Sequence, residues 1–181
     1  MPGAEISNTH VAVILGSQND LGRMQAAMET LEKLSVPYEI TIASAHRTPE
    51  RVAAWVAAQE KDGAAVFIAG AGMAAHLAGA VAARTVVPVI GVPLTGSTLG
   101  GFDALLSTVQ MPPGVPVATV GIDAAQNAAL LAAEILGAAD PALRARIVQF
   151  RQEKAAGVEA AAGKISREGW RSLLPGSGPS K

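Results

Sequence analysis

Residues 11–20 read VAVILGSQND: five apolar residues in succession, then a glycine and four polar residues. An unbroken apolar run of that length, ended by a turn signal, is the pattern of a strand covered on both faces. The pattern recurs. AAVFIAG at 64–70, PVIGV at 88–92 and PVATVG at 116–121 read the same way, whereas YEITIA at 38–43 alternates more and suits a position near an edge. The five runs begin near 11, 38, 65, 88 and 116, spacings close to the roughly 30 residues of one strand-plus-helix unit. No sequence is repeated, so the spacing reflects architecture.

The intervals carry helical patterns. In 20–34, Leu21, Met24, Met28, Leu31 and Leu34 recur at three and four residues. Pro49 opens 49–61 at the first helical position, where its missing N–H costs nothing. Shorter helices are predicted at 74–83 and 101–110, and another at 124–136. Asp140-Pro141 is a helix start, followed by the stripe Leu143, Ile147 and Phe150. Residues 1–165 read as one catalytic domain ending in this C-terminal helix. Residues 166–181, ending PGSGPSK, read as a flexible tail. Strands alternating with helices make a parallel sheet with helices on both faces, a three-layer α/β arrangement. Right-handed crossovers leave few topologies, and the flavodoxin-like order 2-1-3-4-5 is expected. Ligands of such sheets bind beyond the carboxyl ends of the strands, where the strand order reverses.

Composition narrows the function. Among 181 residues, 14 Lys and Arg oppose 15 Asp and Glu for a net charge of −1, which gives no footprint for nucleic acid or an anionic membrane. No apolar run approaches the roughly 18–20 residues of a membrane span, and the start MPGAEISNTH does not read as a signal peptide. The chain has no cysteine. That removes disulfides, thiolate metal sites and a cysteine nucleophile, and fits a reducing cytoplasm. His10, His46 and His76 lack the close spacing of metal ligands, so no metal is expected.

Three loops then carry the chemistry. In the first, Gly16 allows a turn, Ser17 and Asn19 offer side-chain donors, and Asp20 can accept from two ribose hydroxyls. The same residue types are preferred helix caps, which for this loop taken alone is the better account of them. In the second, SAHRTPE at 44–50, Ser44 and Ala45 precede His46 and Arg47. A guanidinium grips phosphate with a two-pronged hydrogen bond, and histidine is the side chain that gains and loses a proton near neutrality. Thr48 as a cap, with His46 and Arg47 merely exposed, is the alternative. The third loop, GAGMAAHLAG at 70–79, places Gly70, Ala71 and Gly72 where backbone can approach a ligand. It also satisfies G-x-G-x-x-A. However, it follows the third strand, and no acidic residue ends the fourth, so a dinucleotide is not expected. His76 is expected one turn inside the following helix, as a hydrogen-bonded structural histidine, beside Leu77. No P-loop and no nucleophile elbow occur. The pattern is that of an enzyme for a phosphorylated, ribose-bearing small molecule, working without metal or cofactor.

GSQND at 16–20, SAHRTP at 44–49, GAGMAAHL at 70–77 and DALLSTVQMPPGVPVATV at 103–120 resemble the 5-(carboxyamino)imidazole ribonucleotide mutases of purine biosynthesis. The resemblance runs from about Val11 to Phe150. It implies a flavodoxin-like fold, a cytoplasmic homo-octamer with sites at subunit contacts, and transfer of a carboxylate from the exocyclic nitrogen to ring carbon 4 without cofactor. It further implies that Ser17 and Asp20, with Gly16 and Asn19, bind the ribose phosphate portion. Ser44, Ala45 and Arg47 would clamp the phosphate, and His46 would be the general acid/base. Gly70 to Gly72, His76 and Leu77 would wall the carboxylate pocket, and 95–101 would cover the imidazole. This chain departs from the family pattern at Asn19 (usually Ser), Met73 (usually Gly) and Ala78 (usually Pro), and at 123–126, DAAQ, which lacks glycines often found there. Two rivals remain: a carboxylase taking aminoimidazole ribonucleotide and free carbon dioxide, and a flavodoxin-type binding module. The His76-Leu77 pair favours the mutase. The strand-end loops offer no aromatic to stack on a flavin.

Overall fold

A computed structural model describes residues 9–175. The reading of the first residues as free of a leader falls largely on 1–8, and the end of the tail falls on 176–181; both stretches lie outside the described residues. Five parallel strands form one sheet: β1 (His10–Leu15), β2 (Tyr38–Ile42), β3 (Ala64–Gly72), β4 (Val89–Leu94) and β5 (Ala118–Thr119). Their order is β2-β1-β3-β4-β5, the flavodoxin-like order expected. Six α-helices separate and follow them: α1 (Leu21–Lys33), α2 (Pro49–Lys61), α3 (Leu77–Ala82), α4 (Phe102–Val109), α5 (Ala125–Gly137) and α6 (Pro141–Glu168).

The unbroken apolar runs are explained by two cores. Val11, Val13 and Leu15 of β1 face one side, with Met24, Leu31 and the alanine row of α5, Ala125, Ala128, Ala129, Ala132 and Ala133. Ala12 and Ile14 face the other, with Val52 and Val56 of α2 and Leu77, Ala78 and Val81 of α3. Side chains that alternate across a strand are therefore all buried. The alanine row lets α5 lie close against the sheet, so few aromatics are needed to fill the layer. Gly91 of β4 marks the tightest point. A Cβ there would meet the Val117 side chain at 2.9 Å and Ala78 at 3.2 Å, and would run into the Thr108 methyl.

Four details differ from the sequence reading. β5 pairs over two residues only and is half exposed, because it closes the sheet edge and receives one ladder, from β4. β3 and β4 each run two residues further, to Gly72 and Leu94. α3 begins at Leu77, because residues 73–76 form a tight turn entered at Met73, whose φ is +56°. His76 thus stands at the helix start, not one turn inside. Finally, α6 continues through Ser166 to Glu168, is stopped at Gly169 (φ +78°), and is followed by a 3-10 turn at Trp170–Leu173. Its first half docks through Leu143, Ile147 and Phe150, and Asp140 Oδ1 caps it by accepting from the N–H groups of Ala142 and Leu143.

Candidate active site

The carboxyl ends of β1, β2, β3 and β4 surround a cleft of about 750 Å³. Gly16, Ser17, Asn19 and Asp20 line it from the first loop, and Ser44, Ala45, His46 and Arg47 from the second. Ala71, Gly72, His76 and Leu77 complete the sequence-predicted set. The switch in strand order brings them together: β2 and β3 flank β1, so three loops distant in sequence open on one crevice. Gly70 is the exception and does not line the cleft. Its carbonyl accepts from Gly16 N–H (3.0 Å), and a Cβ on it would strike the Met24 side chain. It holds the floor beneath the first loop. Of 95–101, Thr95 and Gly96 line the cleft.

The first loop resolves its two readings residue by residue. Ser17 does cap, its Oγ accepting from Asn19 N–H (3.3 Å) at the start of a 3-10 turn over Gln18–Asp20. Asp20 stands at the N-cap of α1 but makes no side-chain capping bond, so its carboxylate is left to face the cleft. Burial pushes the pKa of that carboxyl up. The Ser17 backbone hydrogen bond and then the charges of Arg23 and Arg47 oppose the shift without cancelling it.

The second loop is wound on Ser44. Its N–H donates to Thr48 Oγ1 (2.9 Å), its Oγ accepts from Arg47 N–H (3.2 Å), and its carbonyl accepts from Thr48 N–H (2.9 Å). Thr48 is therefore bound back to Ser44 and makes no side-chain cap for α2. The winding presents His46 and Arg47 outward, and both are exposed. Arg47 Nη2 donates to the Gly16 carbonyl (3.3 Å), which ties the second loop to the first.

His46 Nε2 lies 2.8 Å from His76 Nδ1, with the rings edge to face. The two nitrogens form a hydrogen bond, one ring donating and the other accepting. His76 is thus a hydrogen-bonded histidine as expected, but its partner is the candidate acid/base, so it belongs to the site. Sequence reasoning missed Arg23, which lines the cleft one helical step beyond Asp20. It donates from Nε to Thr95 Oγ1 (2.9 Å). Spacing was the available signal, since positions 20 and 23 share a helix face. Met73 and Ala74 also line the cleft. Among the described residues no His, Cys, Asp or Glu group could hold a metal ion, and no helix is long and apolar enough to cross a membrane.

Comparison with known proteins shows what the whole chain is similar to. Residues 10–157 match the family described as AIR carboxylase. An N5-carboxyaminoimidazole ribonucleotide mutase of Pyrococcus horikoshii is 50% identical over 164 residues, covering 91% of this chain and 93% of its own length. A phosphoribosylaminoimidazole carboxylase of Schizosaccharomyces pombe is 50% identical over 161 residues, but the match covers only 29% of that protein. The crystal structure of Treponema denticola PurE superposes with a TM-score of 0.79 at 27% identity, covering 88% of this chain and 99% of that one.

Proposed function

This chain belongs to the AIR carboxylase family, and we propose that it converts N5-carboxyaminoimidazole ribonucleotide to 4-carboxy-5-aminoimidazole ribonucleotide in purine biosynthesis. The observation that carries the assignment is the near full-length match to a mutase, at half identity, by a chain whose cleft joins Arg47, Asp20 and the His46–His76 pair. The carboxylase relative is more than three times as long as the matched region, so its name describes a larger protein.

The chemistry asks for a closed pocket and one mobile proton. His46 gives its proton to the carbamate nitrogen as the N–C bond breaks, and the bonding pair stays on nitrogen. Carbon dioxide and an aminoimidazole result. The aminoimidazole is an enamine, nucleophilic at carbon 4, which attacks the trapped carbon dioxide and forms the new C–C bond. The tetrahedral carbon then returns its proton to His46, the ring regains aromaticity, and the imidazole is back in its starting state. Keeping both fragments in one site replaces a bimolecular encounter, and effective molarities of about 10⁵ M or more are available to such steps. Binding of the remote phosphate by Arg47 and Ser44, and of ribose by Asp20 and Ser17, positions the ring. His76, bonded to His46, fixes the orientation of that imidazole and which nitrogen carries its proton.

Conversion of the carboxyamino substrate in bicarbonate-free buffer tests this function. Turnover there supports the mutase. Turnover only from aminoimidazole ribonucleotide plus bicarbonate would replace it with the carboxylase. The absence of cysteine and the pathway both support a cytoplasmic setting. Association of copies is supported by apolar side chains left uncovered on the single chain, Phe102 at 65% exposure, Val158 at 69% and Trp170 at 58%; an octamer is what the family resemblance implies. Light scattering should report eight chains, and a monomer at micromolar concentration would refute the assembly.

A further inference from the structure

We propose that Arg23 is a second phosphate-binding cation of the cleft, closing on the phosphate from the side opposite Arg47, with Thr95 and Asp123 as the positioning residues that aim it. The inference rests on the reading of the cleft as a ribonucleotide site and assigns a residue outside the motifs that led to that reading.

The first observation is placement. Two guanidinium groups bracket the 16–20 loop: Arg47 Nη2 donates to the Gly16 carbonyl at its start, and Arg23 Nη1 reaches the Asn19 carbonyl at its end (3.4 Å). Both side chains line the cleft, and both act electrostatically on Asp20 between them. The second observation is charge. Among the described residues the ion pairs are Lys33–Glu153 and Arg151–Glu134, far from the cleft, so neither cleft arginine is paired with a carboxylate. A phosphate monoester carries close to two negative charges at neutral pH. One arginine cannot balance that, least of all with the Asp20 carboxylate alongside.

The third observation is preorganisation. Arg23 Nε donates to Thr95 Oγ1 (2.9 Å). The Thr95 hydroxyl in turn donates to Asp123 Oδ2 (2.6 Å), and Thr95 N–H donates to Asp123 Oδ1 (2.9 Å). Asp123 does this from the left-handed region, φ +54°, a conformation costly for a non-glycine residue unless its surroundings hold it there. A guanidinium has five N–H donors, and only two of those on Arg23 meet a protein acceptor. Three remain, enough for the two-pronged grip that phosphate accepts. The chain from Asp123 through Thr95 holds one edge of the guanidinium and leaves the others to a ligand.

Calorimetric titration of wild type, Arg23→Gln, Arg23→Lys and Thr95→Val with aminoimidazole ribonucleotide and with its riboside, which lacks the phosphate, tests the proposal. Arg23→Gln should weaken the nucleotide by at least about tenfold and leave the riboside within about twofold, the cost expected of a lost charged hydrogen bond. Arg23→Lys should restore part of the loss, and Thr95→Val, which keeps the charge but removes its anchor, should fall between wild type and Arg23→Gln. Arg23 is exposed, so an unchanged melting temperature will certify the fold of its variants. Equal weakening of nucleotide and riboside, or of neither, would overturn the assignment. If the wild type binds neither probe, the ribonucleotide reading itself fails, an outcome distinct from a silent Arg23.

Discussion

Arg47→Lys separates binding from chemistry at adjacent residues. In the structure the Arg47 backbone is fixed by Ser44 Oγ, and its guanidinium reaches across to the Gly16 carbonyl at 3.3 Å. Lysine keeps the charge and loses the planar fork, so one charge-assisted hydrogen bond to the phosphate disappears. Such a bond contributes about 1.5–3 kcal/mol, and at about 1.4 kcal/mol per decade the dissociation constant should rise about 10- to 150-fold. Turnover should stay within a few-fold, because His46 is held by His76, on a different loop, and takes no hydrogen bond from Arg47. Calorimetry with aminoimidazole ribonucleotide reads the first quantity, and saturating steady-state kinetics reads the second. An unchanged dissociation constant would remove Arg47 from the phosphate. A collapse of turnover at saturation would show that the two residues are not independently anchored.

Three further outcomes follow from the geometry. Asp20 can accept from two ribose hydroxyls, one on each oxygen, when it is ionised and loses one of those acceptors on protonation; burial raises its pKa, so affinity should be full above that raised value and fall as pH drops through it. The loss should start above the ordinary carboxylate range near 4 and vanish in Asp20→Asn; titrations from pH 7 to 4 that show no loss above that range would contradict this. The sign is opposite for folding. A raised carboxyl pKa favours the folded state at low pH and costs stability above the folded pKa, so Asp20→Asn should raise the melting temperature of the free protein at neutral pH. Gly91→Ala forces a Cβ into Thr108 and Val117. It should cost about 1–3 kcal/mol and lower the melting temperature by several degrees, and an unchanged melt would refute the packing described.

The sheet was legible because its central strands are buried on both faces, which writes an unbroken apolar run into 11–15, 64–70 and 88–92. Strand β5 was read too long. An edge strand paired on one side ends wherever its ladder ends, and the apolar run at 116–121 does not encode that point. The start of α3 was misjudged for a related reason. Periodicity over 74–83 cannot register the left-handed turn at Met73 that delays the helix to Leu77. At the cleft, residues that share a loop were legible as groups, since the first two loops announce themselves by polar composition and the third by its glycines. What escaped were partners made by tertiary approach. Arg23 meets Thr95 across 72 positions and His46 meets His76 across 30, and neither relation has a local signature. Gly70 looked like ligand-facing backbone because glycine reports only that space is tight; here the neighbour is Met24.

The central claim is that one imidazole, His46, carries the proton that leaves and returns while the nucleotide is held by other groups. His46→Asn keeps size and hydrogen bonding and cannot carry a proton near neutrality. Carboxylate transfer and calorimetric binding of aminoimidazole ribonucleotide should be measured on the same preparation of this variant. Turnover is predicted to fall at least about 10²-fold, the low end for acid/base catalysis, with affinity within a few-fold of wild type. Turnover within a few-fold of wild type would contradict the account and pass the role to His76, 2.8 Å away.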